Sequence, residues 1–201
     1  MSSLTTELAG AAAQLVVEQG LEYNEARRKV ARGQARIRVP SNEAIEEEVR
    51  VYLSLYSADT QPAELRALRR LALNWMLRLA AFRPHLSGAA WRGTATRLSS
   101  LRLDLYCDDA KAMEITLINL GIAYDSASLP AGHGGARGGE PIPLLTITDA
   151  CAELGETVSL FLAVRDLDDL RGALKPDARG RSWRGDASAL RRLLEAKVVG
   201  P

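Results

Sequence analysis

Between residues 92 and 109 the chain reads RGTATRLSSLRLDLYCDD. Gly93-Thr94 is a turn free of bulky side chains, the kind of backbone that lets amide groups approach a phosphate. Behind it, Ser100, Arg102 and Asp104 alternate with Leu101, Leu103 and Leu105, so the polar three share one face of a strand predicted over about 101 to 107. Two carboxylates at i and i+2 on such a face would grip the magnesium ions that balance a polyphosphate. Here a guanidinium occupies one of those places, and one carboxylate cannot replace two. Three readings follow. The face is a catalytic centre, or it holds a phosphate through the paired hydrogen bonds of Arg102, or it is the solvent side of a half-buried strand whose leucines point inward.

The elements that position these residues fall into two textures. The first 84 residues read as helices. Leu8, Ala12, Leu15 and Val16 recur at helical spacing up to Gly20, and a short helix is predicted from about Asn24 to Arg32, closed by Gly33. Ser41 caps a third helix whose Ile45, Val49, Tyr52 and Tyr56 share a face, with Glu43 and Glu46 favourable near its positive end. A fourth carries Pro62 in its first turn and the stripe Leu65, Leu68, Ala72, Trp75, Leu79 and Phe82, with Arg66, Arg69, Arg70 and Arg78 on the other side. From Arg83 onward short apolar runs are punctuated by Gly, Ser and Pro. Strands are predicted at about 86 to 91, 101 to 107, 142 to 148 and 157 to 164. A helix at about 109 to 120 is capped by Asp108, and a last one starts near Asp186. Residues 126 to 141, SASLPAGHGGARGGEP, have the composition of a flexible loop.

The order strand, Gly-Thr turn, short link and strand resembles the core of the nucleotidyltransferase superfamily, the polymerase-beta-like fold. The wider stretch AAFRPHLSGAAWRGTATRLSSLRLDLYCDDAKAMEITLINLGIAYD is also similar to a group of small bacterial proteins described only as nucleotidyltransferase-like, whose helical N-terminal half resembles residues 8 to 82. The likeness covers about two thirds of the chain and is strongest from 80 to 125. It implies an α+β fold, with a helical region over 1–84 packed on a small mixed-sheet domain of nucleotidyltransferase-like topology over 85–201. It also implies a nucleotide site at Gly93, Thr94, Ser100, Arg102 and Asp104. Laid on the family pattern, Ser100 and Arg102 stand where the two metal-binding acids belong, and Asp104 falls one same-face step beyond. The strand IPLLTIT, where the third acid would lie, contains none, and only Asp149 follows it. The resemblance therefore implies a degenerate nucleotidyltransferase-like protein that binds a nucleotide or phosphorylated ligand without two-metal catalysis. No cofactor is expected; magnesium enters only if the chain is an active transferase modifying protein or RNA. A non-enzymatic interaction or dimerisation module is the reading from another class, and burial of the Leu65 to Phe82 stripe would count against it.

Bulk composition adds limits. The chain has 201 residues, 47% hydrophobic, and a formal net charge of +1, so nothing overall draws it to nucleic acid or a membrane. The 22 Arg against 4 Lys match a GC-rich coding sequence as well as they match guanidinium chemistry. Cys107 and Cys151 lack metal-ligand spacing and fit reduced thiols. The N-terminal stretch has no basic leader and no run nears the roughly 20 apolar residues of a membrane span, so a cytoplasmic location is expected. RRKVARGQARIR, residues 27 to 38, has six positive side chains but no aromatic residue to stack on bases. NEAIEEE follows at once to neutralise it, and nucleic-acid binding is the weaker reading. In GHGGARGGE, Gly134-x-x-x-x-Gly139 is followed by Glu140 rather than by Lys and then Ser or Thr, so it is not a phosphate loop. His133 reads as a surface-loop residue, His85 as a helix-end residue, and RGD at 184–186 as the cap of the last helix through Asp186.

Overall fold

The structure is a computed structural model that describes residues 3–32, 39–130, 141–174, 177 and 180–196. Two compact units divide the chain: Met1–Leu65 with Thr94–Ser99, and Arg66–Gly93 with Ser100–Pro201.

The first unit is helical. α1 (Ser3–Gln19), α2 (Tyr23–Ala31) and α3 (Asn42–Tyr56) enclose Ala9, Ala12, Ala13, Val16, Ala26, Ile45, Val49 and Leu53. Alanines on α1 let its neighbours approach closely, while Ile45 and Val49 supply volume. α3 starts as its sequence requires: Ser41 Oγ accepts from the Ala44 amide at 3.2 Å. Its apolar face runs out before its end, because Tyr56 is exposed. α2 ends at Ala31 with Arg32 as its C-cap, and the Gly33 expected to close it lies outside the described residues. Of the basic segment, Lys29 Nζ donates to Gln19 Oε1, and residues 33–38 also lie outside the description. Glu46 pairs with Arg50 on its own helix.

Residues 94–99 are tied to this unit by polar contacts. Gln61 Nε2 donates to the Ala95 carbonyl, Glu64 Oε2 accepts from the Arg97 amide, and Tyr23 and Thr94 share a hydrogen bond. Gly20 completes the fit. Its φ is +67°, and a Cβ there would stand 2.4 Å from the Leu98 carbonyl oxygen, so only glycine is admitted.

The second unit is built on a six-stranded mixed sheet: β1 (His85–Ser87), β2 (Leu101–Tyr106), β3 (Asp125–Leu129), β4 (Ile142–Cys151), β5 (Glu156–Arg165) and β6 (Arg184–Gly185). Their spatial order is β3-β4-β5-β2-β1-β6, with β2 and β5 parallel and the other pairs antiparallel. The α+β class read from the sequence holds. Around the sheet stand α4 (Gln61–Arg78, of which Arg66 onward belongs here), a 3₁₀ turn (Ala80–Phe82), α5 (Gly88–Arg92), α6 (Ala110–Asn119), α7 (Asp169–Ala173) and α8 (Ala187–Glu195). No helix of the described residues is long and apolar enough to cross a membrane.

The two sheet faces differ in chemistry. Leu86, Leu103, Leu162 and Leu145 are register partners in one row and are all fully buried. Asp149 lies on the same side two positions beyond Ile147, and its carboxylate accepts from Trp75 Nε1 at 2.8 Å, which fixes α4 over this aliphatic face. The α4 stripe Leu65, Leu68, Ala72, Trp75, Leu79 and Phe82 is at most 8% exposed. It offers no open seam, so dimerisation loses the feature that most favoured it.

Four local expectations are corrected. The strand predicted over 86–91 stops at Ser87; Gly88, at φ +69°, turns the chain and the alanine-rich GAAWR becomes α5. Residues 126–129 of the supposed loop pair with β4 as the edge strand β3, because backbone pairing outweighs their small polar side chains. The rest of that stretch, 131–140 with His133, lies outside the described residues. Asp109, not Asp108, caps α6, its Oδ1 accepting from the Lys111 amide. Arg69 is not on a solvent face. It is 6% exposed, and its guanidinium donates to the Ala90 and Trp91 carbonyls at the end of α5. Those are acceptors that a short helix leaves unpaired.

Candidate functional site

The face opposite the leucines carries the chemistry. Period-two alternation puts Arg102, Asp104 and Tyr106 of β2 on it, and the register adds Ser87 and His85 from β1, Arg165 and Phe161 from β5 and Arg184 from β6. At its centre Asp104 is 1% exposed. Arg165 Nε donates to its Oδ1 at 2.8 Å, and Arg184 Nη1 lies 3.2 Å from its Oδ2. Arg184 Nη1 also donates to the Tyr106 hydroxyl at 2.6 Å. The His85 ring meets Tyr106 edge-on at 5.4 Å, and His85 Nδ1 stands 2.9 Å from the Arg83 carbonyl oxygen.

A lone carboxylate could not be held in this place. Burial alone would push the Asp104 carboxyl upward, but the charges of Arg184 and Arg165, with hydrogen bonds from Arg165 and Ser87, outweigh it and hold the group below its ordinary value. Asp104 is therefore a buried anion committed to two guanidiniums. Tyr106 is pushed the other way, first by burial and then by the Asp104 charge, and stays a neutral phenol.

Arg184 reaches Asp104 because the segment before it is clamped. Arg92 Nη2 pairs with Asp177 Oδ2 at 3.0 Å, both side chains almost wholly buried, and Arg92 Nη1 donates to the Ser182 carbonyl. The same guanidinium lies over the Trp183 ring at 4.5 Å. Trp91 Nε1 donates to the Ser182 carbonyl and hydroxyl. Gly185 then passes the Trp91 ring so closely that a Cβ there would be 2.0 Å from it. Each contact sets the height of β6, and so the depth at which the Arg184 side chain enters the polar face.

The five residues singled out from the sequence fall in different local settings. Arg102 and Asp104 share the polar face, with Ser100 one same-face step before β2. Gly93 closes α5 at φ +85°, its amide donating to the Ala89 carbonyl. Thr94 belongs to the first unit, where its buried hydroxyl and that of Tyr23 are 2.6 Å apart. The reading of Ser100, Arg102 and Asp104 as one solvent face is corrected: Asp104 is enclosed, because two arginines from strands distant in sequence close over it. His85 is likewise not a helix-end residue but part of β1. Sequence reasoning missed Arg165, Arg184, Tyr106 and Phe161. One signal was present: in SLFLAVR a cation ends a strand that is otherwise apolar, which on a central strand demands a buried partner. Among the described residues no group of three or more His, Cys, Asp or Glu is arranged to hold a metal ion.

No known family matches the sequence, and no curated protein does. Solved structures share part of the backbone. Cid1 poly(U) polymerase with MgGTP bound is 14% identical at a TM-score of 0.37, over 59% of this chain and 38% of that one. Cid1 in complex with its short product ApU is 18% identical at 0.37, over 62% and 38%. A cytoplasmic RNA terminal U-transferase is 18% identical at 0.36, over 59% and 36%. The chain thus spans little more than a third of the length of the proteins it is similar to.

Proposed function

We propose that this chain is a nucleotidyltransferase-like protein that binds a nucleotide or another phosphorylated ligand on the polar face of its sheet and does not carry out two-metal catalysis. The observation that carries this reading is the state of Asp104. The one carboxylate that the strand offers to a metal is already paired with Arg165 and Arg184. The guanidiniums of Arg165 and Arg184 hold it, and that of Arg102 belongs to the same face two positions before it on β2. Guanidiniums gathered on a partly desolvated face suit an anion and oppose a divalent cation. Arg102, half-buried on β2, is the residue assigned to the phosphate, with Ser100 beside it as a hydroxyl donor. Gly93 and Thr94 stand in the proposal only as the turn that the sequence resemblance marks.

Titration calorimetry with pyrophosphate in the presence of EDTA tests the reading. Binding is expected without magnesium, and Arg102→Glu is expected to abolish it while the fold is kept. Binding that requires magnesium, or that survives the charge reversal, would contradict it.

A further inference from the structure

One row of register partners crosses the whole sheet on its polar face: Arg184, Ser87, Arg102, Phe161, Thr146 and Asp125, one from each strand. Neighbouring strands are about 4.8 Å apart, so the row is a strip of side chains at regular steps. Its chemistry is graded. Two guanidiniums and a hydroxyl stand at the β6–β1–β2 end, a phenyl ring in the middle, and a hydroxyl and a carboxylate at the β3 end.

Phe161 is the residue out of place. The chain has only 2 Phe. Phe82 is buried, whereas Phe161 is half-buried on the polar face, flanked by Arg102 on one side and Thr146 on the other. Strand alternation would fill that position with a polar residue, as it does at both neighbours in the row. Phe161 thus puts a half-buried phenyl ring one strand from the Arg102 guanidinium, at the same register position. That is the arrangement on which an unsaturated ring carrying an anionic group can lie.

We infer that Phe161 is a specificity-determining platform, and that the ligand is a phosphorylated compound bearing an aromatic ring, the ring stacked on Phe161 and the phosphate directed to Arg102. The polarity of the strip fixes the orientation. A phosphate at the opposite end would face the exposed Asp125 carboxylate and be repelled, so the charged group lies toward β2 and β1. This inference rests on the anion-binding reading above and adds to it a requirement for the ring.

The test compares ADP with pyrophosphate by calorimetry in EDTA, using the full chain and its Phe161→Leu and Phe161→Trp variants. The wild-type protein should bind ADP more tightly than pyrophosphate. Phe161→Leu should weaken ADP about tenfold or more, since stacking of one base on an aromatic side chain has an effect of that order, and should leave pyrophosphate unchanged. Phe161→Trp should restore ADP binding, and pyrophosphate binding by both variants reports that they are folded. Equal affinity of the wild type for the two probes, or equal loss of both in Phe161→Leu, would overturn the inference while leaving Arg102-dependent anion binding intact. Failure of both probes to bind the wild type would overturn the anion-binding reading and this inference together.

Discussion

Arg165 Nε and Asp104 Oδ1 are 2.8 Å apart, joined across parallel strands by residues 61 positions apart in sequence. With Arg184 on the other oxygen, this contact decides what the polar face can do. It converts the strand's only carboxylate from a potential metal ligand into the counter-ion of two cations.

Removing that charge should be costly. Asp104→Asn keeps the volume but removes the charge that Arg165 and Arg184 share, and truncating one partner of a buried pair such as Arg165–Asp104 typically destabilises by about 3–5 kcal/mol. Chemical denaturation at neutral pH measures it. The pH profile gives a second check. Because the folded-state pKa of Asp104 is lowered, its contribution is fully present above the unfolded carboxyl value of roughly 3.9 and is lost as pH falls through the folded value. Wild type and Asp104→Asn should therefore converge in stability only in acid.

Tyr23 predicts the opposite limb. Burial, only partly offset by its hydrogen bond to Thr94, pushes its phenol up to about 12. A phenol whose pKa is raised on folding contributes stability that is complete below the unfolded value of about 10 and is lost as pH rises through the folded one. Tyr23→Phe, which strands the Thr94 hydroxyl, should cost about 1–2 kcal/mol near neutrality. It should also remove one late-titrating tyrosine from an alkaline absorbance titration.

Gly185→Ala probes the seating of β6. A methyl group cannot share space with a Trp91 ring held by Ser182, so the strand or the indole must shift, at a cost of about 1–3 kcal/mol. Trp91 emission should change, and pyrophosphate affinity should fall as Arg184 leaves its place. A variant with wild-type melting temperature and emission would count against the clamp.

Asp177→Asn acts on the same segment from its other end. It removes the charge that Arg92 and Arg181 both use. Exchange of backbone amides over 180–185 should quicken well before the central strands β2 and β5 respond, because these contacts fasten an edge rather than the core.

Much of the fold was readable from residue patterns. The Ser41 cap, the α4 stripe and the strands β2, β4 and β5 follow from spacing that any chain must obey. What was not readable shares one cause, dependence on distant partners. GAAWR has no periodicity to separate strand from helix in five residues, and Gly88 decides it. β3 forms although its residues are small and polar, since β4 supplies the hydrogen bonds. Arg69 belongs by spacing to the polar side of α4, yet the open carbonyls of α5 draw it in. The site was half legible for the same reason. Arg102 and Asp104 announce a polar face by alternation, while Arg165 and Arg184, which determine its charge, lie 61 and 80 positions further on and could be assigned to it only through the sheet.

With Arg165 and Arg184 on its two oxygens, the Asp104 carboxylate should serve arginines and not a metal. Titration of the full chain with Mn²⁺, followed by electron paramagnetic resonance of the free ion, tests this most directly in wild type beside Asp104→Asn. The curves of the two proteins should be indistinguishable. Tight Mn²⁺ uptake by the wild type that disappears in Asp104→Asn, with the variant still folded, would contradict it.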